Sequence, residues 1–277
     1  MKKIMILMMA AMMPVIAGAQ AQIDTKKVKI ADFPEKVTKI VLTGSDFFDL
    51  ALQDDVAATW RVSPYEFCTI EEFEALKADE NFYFLITTND QFRREDSPGI
   101  QFMSLVKGGK GAEKGISEMC EVVSMPVASA EDPSGREYIF LSALLDIIQK
   151  HVLMSIESDI TGYAGLTNHT DNIQDCKGMR IVFSEDDLSG QVDRNLFDED
   201  MVITDEDEAD EIMSDREAET LVSLVVAPSS GKNGSYCFKM LVNAETHELF
   251  YFRRHKITKK DAVGFLAEDI RKIMSHR

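Results

Sequence analysis

Positive charge is what this chain lacks most. Its 30 Lys and Arg stand against 48 Asp and Glu, a formal net charge of −18. A surface of that sign repels phosphate backbones, so nucleic acid is not an expected partner. It also disfavours adsorption to anionic lipid. Chemical signatures are equally scarce. The four cysteines, Cys68, Cys120, Cys176 and Cys237, contain no CxxC, which sets aside a zinc ribbon and a thioredoxin-type redox site. The five histidines form neither an i, i+4 pair nor an HExxH. No GxSxG marks a serine nucleophile. Gly108-Gly109-Lys110-Gly111 and Gly231-Lys232-Asn233-Gly234 lack the GKS or GKT ending of a P-loop and read as turns between strands. No metal or cofactor is expected from these patterns.

A long apolar run occurs at the very start. Lys2 and Lys3 precede Ile4 to Ile16, and both Ala17-Gly18-Ala19 and Ala19-Gln20-Ala21 fit the small-x-small cleavage rule. The run is short of the roughly 20 residues that span a bilayer. No cysteine follows the small residues, which sets aside a lipid-anchored start. Residues 1–21 therefore read as a cleavable signal peptide. The expectation is export to the periplasm or beyond the cell, with no transmembrane segment after signal removal. The 277 − 21 = 256 remaining residues suit two modules of ordinary size. The apolar fraction of 45% is that of a globular protein.

The stretch from Leu221 to Arg254 organises the rest. Leu221–Val226 is a short apolar run, fit for a buried strand. Pro228 to Gly234 is rich in turn formers. Tyr236 to Val242 alternates with period two, and Leu249, Tyr251 and Phe252 restart an aromatic strand. An earlier stretch repeats the first two of these strands as Phe82–Thr87 and Ile100–Val106. Around each copy the order is the same. Lys39–Leu42 answers Arg180–Phe183 as a first strand. A helix over Asp46–Trp60, with Phe47, Leu50, Ala51 and Trp60 inward and Asp54 and Asp55 outward, answers a weaker one over Asp186–Leu196. Second strands follow at Val62–Cys68 and Met201–Ile203. Capping boxes open the next helices at Thr69–Glu72 and Thr204–Asp207. Cys120–Ala128 adds a strand to the first copy, and apolar helices close the copies over Tyr138–Met154 and Val263–Met274. The fold class is thus α+β, as two tandem similar modules, each a mostly antiparallel sheet with helices packed on one face. Module one covers 22–157, a polar linker 158–178 and module two 179–277. Matching core positions are expected to be Val41 with Val182, Leu85 with Ser223 or Leu224, Phe102 with Phe238, and Ile148 with Ile273.

The run Leu241-Val242-Asn243-Ala244-Glu245-Thr246-His247-Glu248-Leu249 is similar to the valine-aspartate-alanine-x-threonine-glycine turn before the last strand of small α/β modules in bacterial envelope proteins. Those modules include the curli-secretion lipoprotein group and the N-terminal domain of TolB-like proteins. His247 stands where glycine is usual, and Asn243 where aspartate is. The resemblance concerns topology and carries no functional residues.

Several clusters invite chemistry. The acidic stretch Asp198 to Glu219 lacks the turning glycine of an EF-hand and fits the first turn of a helix, where the macrodipole favours carboxylates. Arg253, Arg254, His255 and Lys256 form a basic patch, either a dock for an acidic partner or the counterpart of acids in their own module. In an oxidising compartment the even cysteine count invites pairing, and Cys120 with Cys176, both in loops, is the expected disulfide. Two function classes follow. One is a non-enzymatic envelope or secreted binding or scaffold protein, for a protein or polymer partner. The other is a periplasmic hydrolase with its site between the modules, built from acid pairs the sequence does not align. N-terminal sequencing of the native exported protein should begin at Gln20 or Gln22; a start at Met1 would refute the signal reading.

Overall fold

The computed structural model describes residues 30–276 except 93, 94, 96 and 159–164. The expected signal peptide lies outside the described residues. The first five strands are β1 (Val37–Val41), β2 (Tyr65–Cys68), β3 (Phe82–Asp90), β4 (Ile100–Lys107) and β5 (Cys120–Ser129). They form one sheet in the order β2-β1-β3-β4-β5. The second five are β6 (Arg180–Ser184), β7 (Met201–Thr204), β8 (Thr220–Val226), β9 (Tyr236–Asn243) and β10 (Leu249–Lys256), ordered β10-β9-β8-β6-β7. Read from the other edge, the second order repeats the first strand for strand. In each sheet the first strand pairs in parallel with the second and third, and the remaining ladders are antiparallel. The sheets are therefore mixed, with two parallel and two antiparallel ladders apiece. Parallel neighbours need crossovers. In the first sheet these are the helices α1 (Asp46–Thr59) and α2 (Ile70–Leu76), and α3 (Arg136–Glu157) follows β5. In the second they are two 3-10 turns, Glu185–Asp187 and Arg194–Leu196, and the helix α4 (Glu206–Ser214). The helix α5 (Ala267–Ser275) ends the described chain.

The duplication thus holds at the level of topology, with corrections of detail. Ladder register pairs Leu85 with Ser223 and Phe102 with Phe238, and sets Ser184 rather than Val182 opposite Val41. The slip is two residues, one pleat, so Val41 and Val182 keep the same face. The helix expected over Asp186–Leu196 is only the two 3-10 turns, since Gly190 and Asp193 interrupt it. Thr69 caps α2 with a full box, but α4 is capped by Asp205, one residue later than expected. The inward stripe of α1 is Phe48, Leu52 and Val56 at i, i+4, i+8 spacing; Phe47 and Leu50 are instead 81% and 60% exposed.

Helices occupy both faces of each sheet. In the first module, α1 and α3 share one face with Ile40, Leu85 and Leu105, and Phe73 of α2 packs the other against Val41, Phe84 and Ile86. In the second, Ile270 and Ile273 of α5 pack against Ile181, Phe183 and Leu221. Its opposite face carries Ala209, Ile212 and Met213 of α4, and α3 as well, so that Val182, Val222 and Met240 join the same core as Leu144 and Ile148. One helix therefore serves two sheets. By length and mean hydropathy (1.6), α3 is an apolar segment fit to cross a membrane, which the sequence reading missed after the leader. Here Phe140, Leu141, Leu144, Leu145, Ile148 and Val152 are fully enclosed by protein.

The expected linker is partly structured. Gly165–Asp175 is 3-10 helical and lies along β10, where Thr170 Oγ1 donates to the Phe252 carbonyl (2.7 Å) and Asn172 donates to that of Leu249 (2.8 Å). These bonds cover an edge that would otherwise be open to strand addition. The β9–β10 turn is closed by Asn243, whose Oδ1 accepts the N–H groups of Glu245 and Thr246, and by His247 at φ 55°. A left-handed conformation is unfavourable for a residue with a Cβ. His247 holds it because its Nδ1 meets Asp146 Oδ2 of α3 at 2.7 Å, a second tie from the shared helix to the second sheet.

A third tie is a pair of buried imidazoles. His151 Nδ1 of α3 lies 3.4 Å from His169 Nε2 of the 3-10 segment. Burial, and then the neighbouring ring, lowers His151 to about 4. Burial, and then the charge of Lys150, lowers His169 to about 4. Both rings are thus held neutral, and the unfolded chain takes up protons that the fold refuses. Their contribution is complete above about pH 6.5 and is lost as pH falls toward 4, on the order of 2 to 3 kcal/mol per ring. Urea unfolding at pH 7 and pH 4.5 should show this loss, and the double variant His151→Leu, His169→Leu should flatten the difference.

Candidate functional site

In open sheets with parallel strands, ligands gather outside the strand carboxyl ends, where crossovers leave in opposite directions. Each sheet here has one such point, at the ends of β1 and β3 and at the ends of β6 and β8. The two points are equivalent by topology, and the chain treats them differently.

In the second module the chain itself occupies part of that point. Arg136, in the first turn of α3, reaches across with its side chain 5% exposed. Its Nη1 donates to Asp187 Oδ2 (3.0 Å), Nε to Asp210 Oδ1 (2.8 Å) and Nη2 to the Ser223 carbonyl (3.1 Å). Glu206 Oε2 stands 3.8 Å from Nε, and the guanidinium lies 5.2 Å from the Phe140 ring centre. Asp187 is saturated by two further donors, Ser223 Oγ (2.5 Å) and the Val225 N–H (3.1 Å). Gly264, at φ 103°, closes over this loop; a Cβ there would stand 2.8 Å from the Asp187 carbonyl and 2.6 Å from the Ser189 nitrogen. Burial raises Asp210 and Glu206, while the arginine charge opposes the rise. Carboxylates do converge between the modules, and they converge on a guanidinium. At the same strand ends remains a cavity of about 300 Å³, lined by Arg136 itself, Asp187, Glu206 and Leu224, and by the further carboxylates Asp132, Glu137 and Asp186.

In the first module the equivalent point is open. A cleft of about 650 Å³ lies between the end of β1 (Val41, Leu42, Thr43), the α1 cap Ser45, α2 (Ile70, Phe73, Glu74) and the end of β3 (Ile86 to Asn89), with Pro98, Gln101 and Ile116 closing it. The floor is apolar and the rim carries hydroxyls and amides. Its one carboxylate, Glu74, pairs with Lys77 at 2.5 Å. Matching the modules explains the contrast. The caps Thr69 and Asp205 correspond, so Glu206 is answered by Ile70 and Asp210 by Glu74. Asp49 seals the β1–α1 loop from within, accepting the N–H groups of Thr43 (2.7 Å) and Gly44 (2.8 Å). Beyond the cleft, Asp90 follows Ile86 and Thr88 on one face of β3. Its Oδ1 is buried with no hydrogen-bond partner among the described residues. Burial pushes its carboxyl up to about 6, against a hydrogen bond from Thr88.

The residues singled out from sequence lie elsewhere. Arg253 pairs with Asp269 (3.1 Å) and Glu268 (3.0 Å). Asp269 is fully buried and also receives Lys239 (2.5 Å), Tyr251 (2.6 Å) and the Leu266 N–H (2.8 Å). Burial would raise Asp269, but the Lys239 charge and these donors hold it below the usual carboxylate range. Arg254 lies over the Tyr236 ring at 5.2 Å, and His255 Nε2 donates to the Ala262 carbonyl at 2.8 Å. Successive residues of β10, Lys256 included, face opposite sides, so the basic run is not one surface. No disulfide joins the cysteines among the described residues. The expected Cys120–Cys176 bond is not formed: Cys120 opens β5, and Cys176 is buried in the second module with Ile173 and Tyr251. Both glycine-lysine runs join antiparallel strands. Two runs have SxxK spacing: Ser104 to Lys107 lies within β4, and Ser229 to Lys232 falls in the β8–β9 connection, where Ser229 Oγ donates to Glu131 at 3.5 Å.

Replacing Arg136 by Met should leave Asp187 and Asp210 buried without a counter-charge and destabilise the fold by about 3 to 5 kcal/mol in urea unfolding; a loss under about 1 kcal/mol would contradict the tie. No protein family, no curated protein and no solved structure matches this chain.

Proposed function

We propose that this chain is an exported, acidic binding protein whose ligand site is the cleft of the first module. One observation carries the reading: of two equivalent crevices, one is partly occupied by Arg136 of the same chain and keeps about 300 Å³, whereas the other is apolar-floored and about 650 Å³ in volume. That size is ordinary for a ligand pocket, as is an apolar floor beneath a few convergent polar groups. Thr43, Ser45, Thr88, Asn89 and Gln101 give the rim neutral donors and acceptors that fix orientation without demanding charge. Between the modules, Asp187 and Asp210 are engaged by Arg136, and the buried Ser223 hydroxyl donates to Asp187 and accepts the Ser184 N–H. Export rests on the leader composition, and the partner class, protein or polymer, on the excess of acid. A fluorescence titration with the neutral dye Nile red tests the cleft. The wild type should bind saturably near one to one, and Ile116→Trp, which fills the cleft, should abolish the signal while thermal unfolding stays unchanged. Equal binding by both proteins would refute the site.

A further inference from the structure

The cavity of about 300 Å³ at the strand ends of the second module has one wall from each half of the chain. The first half supplies Asp132, Arg136 and Glu137, and the second supplies Asp186, Asp187 and Glu206. Five carboxylates therefore share a lining with one guanidinium, the one cationic side chain there among the described residues. That guanidinium is already engaged by Asp187 and Asp210, with Glu206 at 3.8 Å. Asp132, Glu137 and Asp186 form no ion pair among the described residues. Asp132 and Asp186 are exposed and mark the mouth, whereas Glu137 is 6% exposed. Glu137 Oε2 accepts the Gly135 N–H (2.9 Å), and its Oε1 has no hydrogen-bond partner among the described residues. A carboxylate taken out of water calls for a counter-charge. Glu206 reports the same excess from the other wall: burial raises it, Arg136 opposes the rise, and the charges of Asp210, Asp187 and Asp186 add to it.

We propose that this cavity binds a small organic dication, a linear alkane with an ammonium at each end, held between Asp132 and Glu137 on one wall and Asp186 and Glu206 on the other. Carboxylates without counter-charges on both walls call for two positive centres rather than one. The hydrocarbon between them meets the apolar part of the lining, Val127, Ala128, Leu224, Val226 and Val263. A bare metal ion suits the site less. It needs a cage of oxygens, and among the described residues no three of His, Cys, Asp and Glu stand close enough to hold one. The volume is at the lower end of those that take small molecules. A crevice lined by one sign of charge also focuses its field and concentrates the opposite ion. The site is separate from the cleft of the first module and does not rest on that reading. A dication seated here joins the two halves through charges that neither half neutralises for itself, so binding stabilises the folded state.

The test is isothermal titration calorimetry of the mature chain with 1,5-diaminopentane at pH 7 and fixed ionic strength. Saturable binding near one to one is expected, and the diamine should raise the thermal midpoint. Pentylamine, with one charge, should bind at least about tenfold more weakly, and 1-pentanol should not bind. Glu137→Gln removes the inward charge at nearly constant shape and should weaken the diamine about tenfold or more. Ser134→Lys brings a tethered ammonium to the mouth and should compete with the diamine, weakening it by about the same factor. This second variant serves if Glu137→Gln fails to fold. Glu113→Gln, in the exposed turn after β4, removes one unit of the same net charge and should leave binding unchanged. Absence of saturable binding overturns the proposal, as does pentylamine or calcium chloride binding as tightly as the diamine. Binding that survives both Glu137→Gln and Ser134→Lys overturns it as well. An equal loss in Glu113→Gln also overturns it, because the diamine then answers the net charge of −18 rather than the cavity.

Discussion

A guanidinium that cannot lose its charge is enclosed at the centre of this molecule, and the two halves are fixed by the need to satisfy it. Arg136 leaves water only because Asp187, Asp210 and the Ser223 carbonyl meet its donors in directions set by three different elements of the second module. Removing a charge from water costs several kcal/mol, so the partners must already be in place. This sets the angle of α3 against the second sheet. With that angle fixed, Asp146 can reach His247 and His151 can reach His169. The apolar core then runs unbroken from Ile40 in one sheet to Met240 in the other. The polar ties choose a geometry, and the apolar area supplies most of the stabilisation.

Two copies of one topology need not do one job. Each module has a crevice at its parallel strand ends, because a strand order with crossovers to both sides leaves one. In the second module that crevice became a joint, with acids at 187, 206 and 210. In the first, residues 70 and 73 are apolar, and the acid at 74 answers a lysine on its own helix. A Glu in place of Ile70 would make the first crevice resemble a joint. The difference between the joined crevice and the wider one therefore comes down to a few side chains on one short helix of each copy.

The sequence disclosed these features unequally. Strands and their order were legible because period-two runs such as Tyr236–Val242 report a pleat locally. The capping box at Thr69 was legible for the same reason: its partners are three residues apart. Parallel ladders were not, since β1 meets β3 across more than forty residues and nothing local marks the direction. The stripe of α1 was misplaced by one position because Phe47 and Phe48 are adjacent and both apolar; only packing against α3 separates them. The basic run at Arg253 was overread, since in a strand consecutive charges diverge. Arg136 drew no notice, although an arginine and a glutamate opening an otherwise apolar helix were a signal. The cleft could have been found by aligning the copies at their caps, where Ile70 falls on Glu206.

The shared helix has a consequence for the order in which the molecule is made. Synthesis delivers α3 with the first sheet, well before β6 to β10 emerge. Until they arrive, the side of α3 that shares a core with Val182, Val222 and Met240 lacks that half of the core, and Arg136 has no acids. The nascent first half is thus an incomplete object with a greasy flank, protected only by the strands still to come. A chain stopped after the 3-10 segment would carry that flank permanently. The second half has the converse defect: alone, its sheet would expose one face and crowd Asp187, Glu206 and Asp210 around an empty seat. Despite their matching strand orders, neither half holds all of its packing partners within itself: the core and the seat of Arg136 are each built from both.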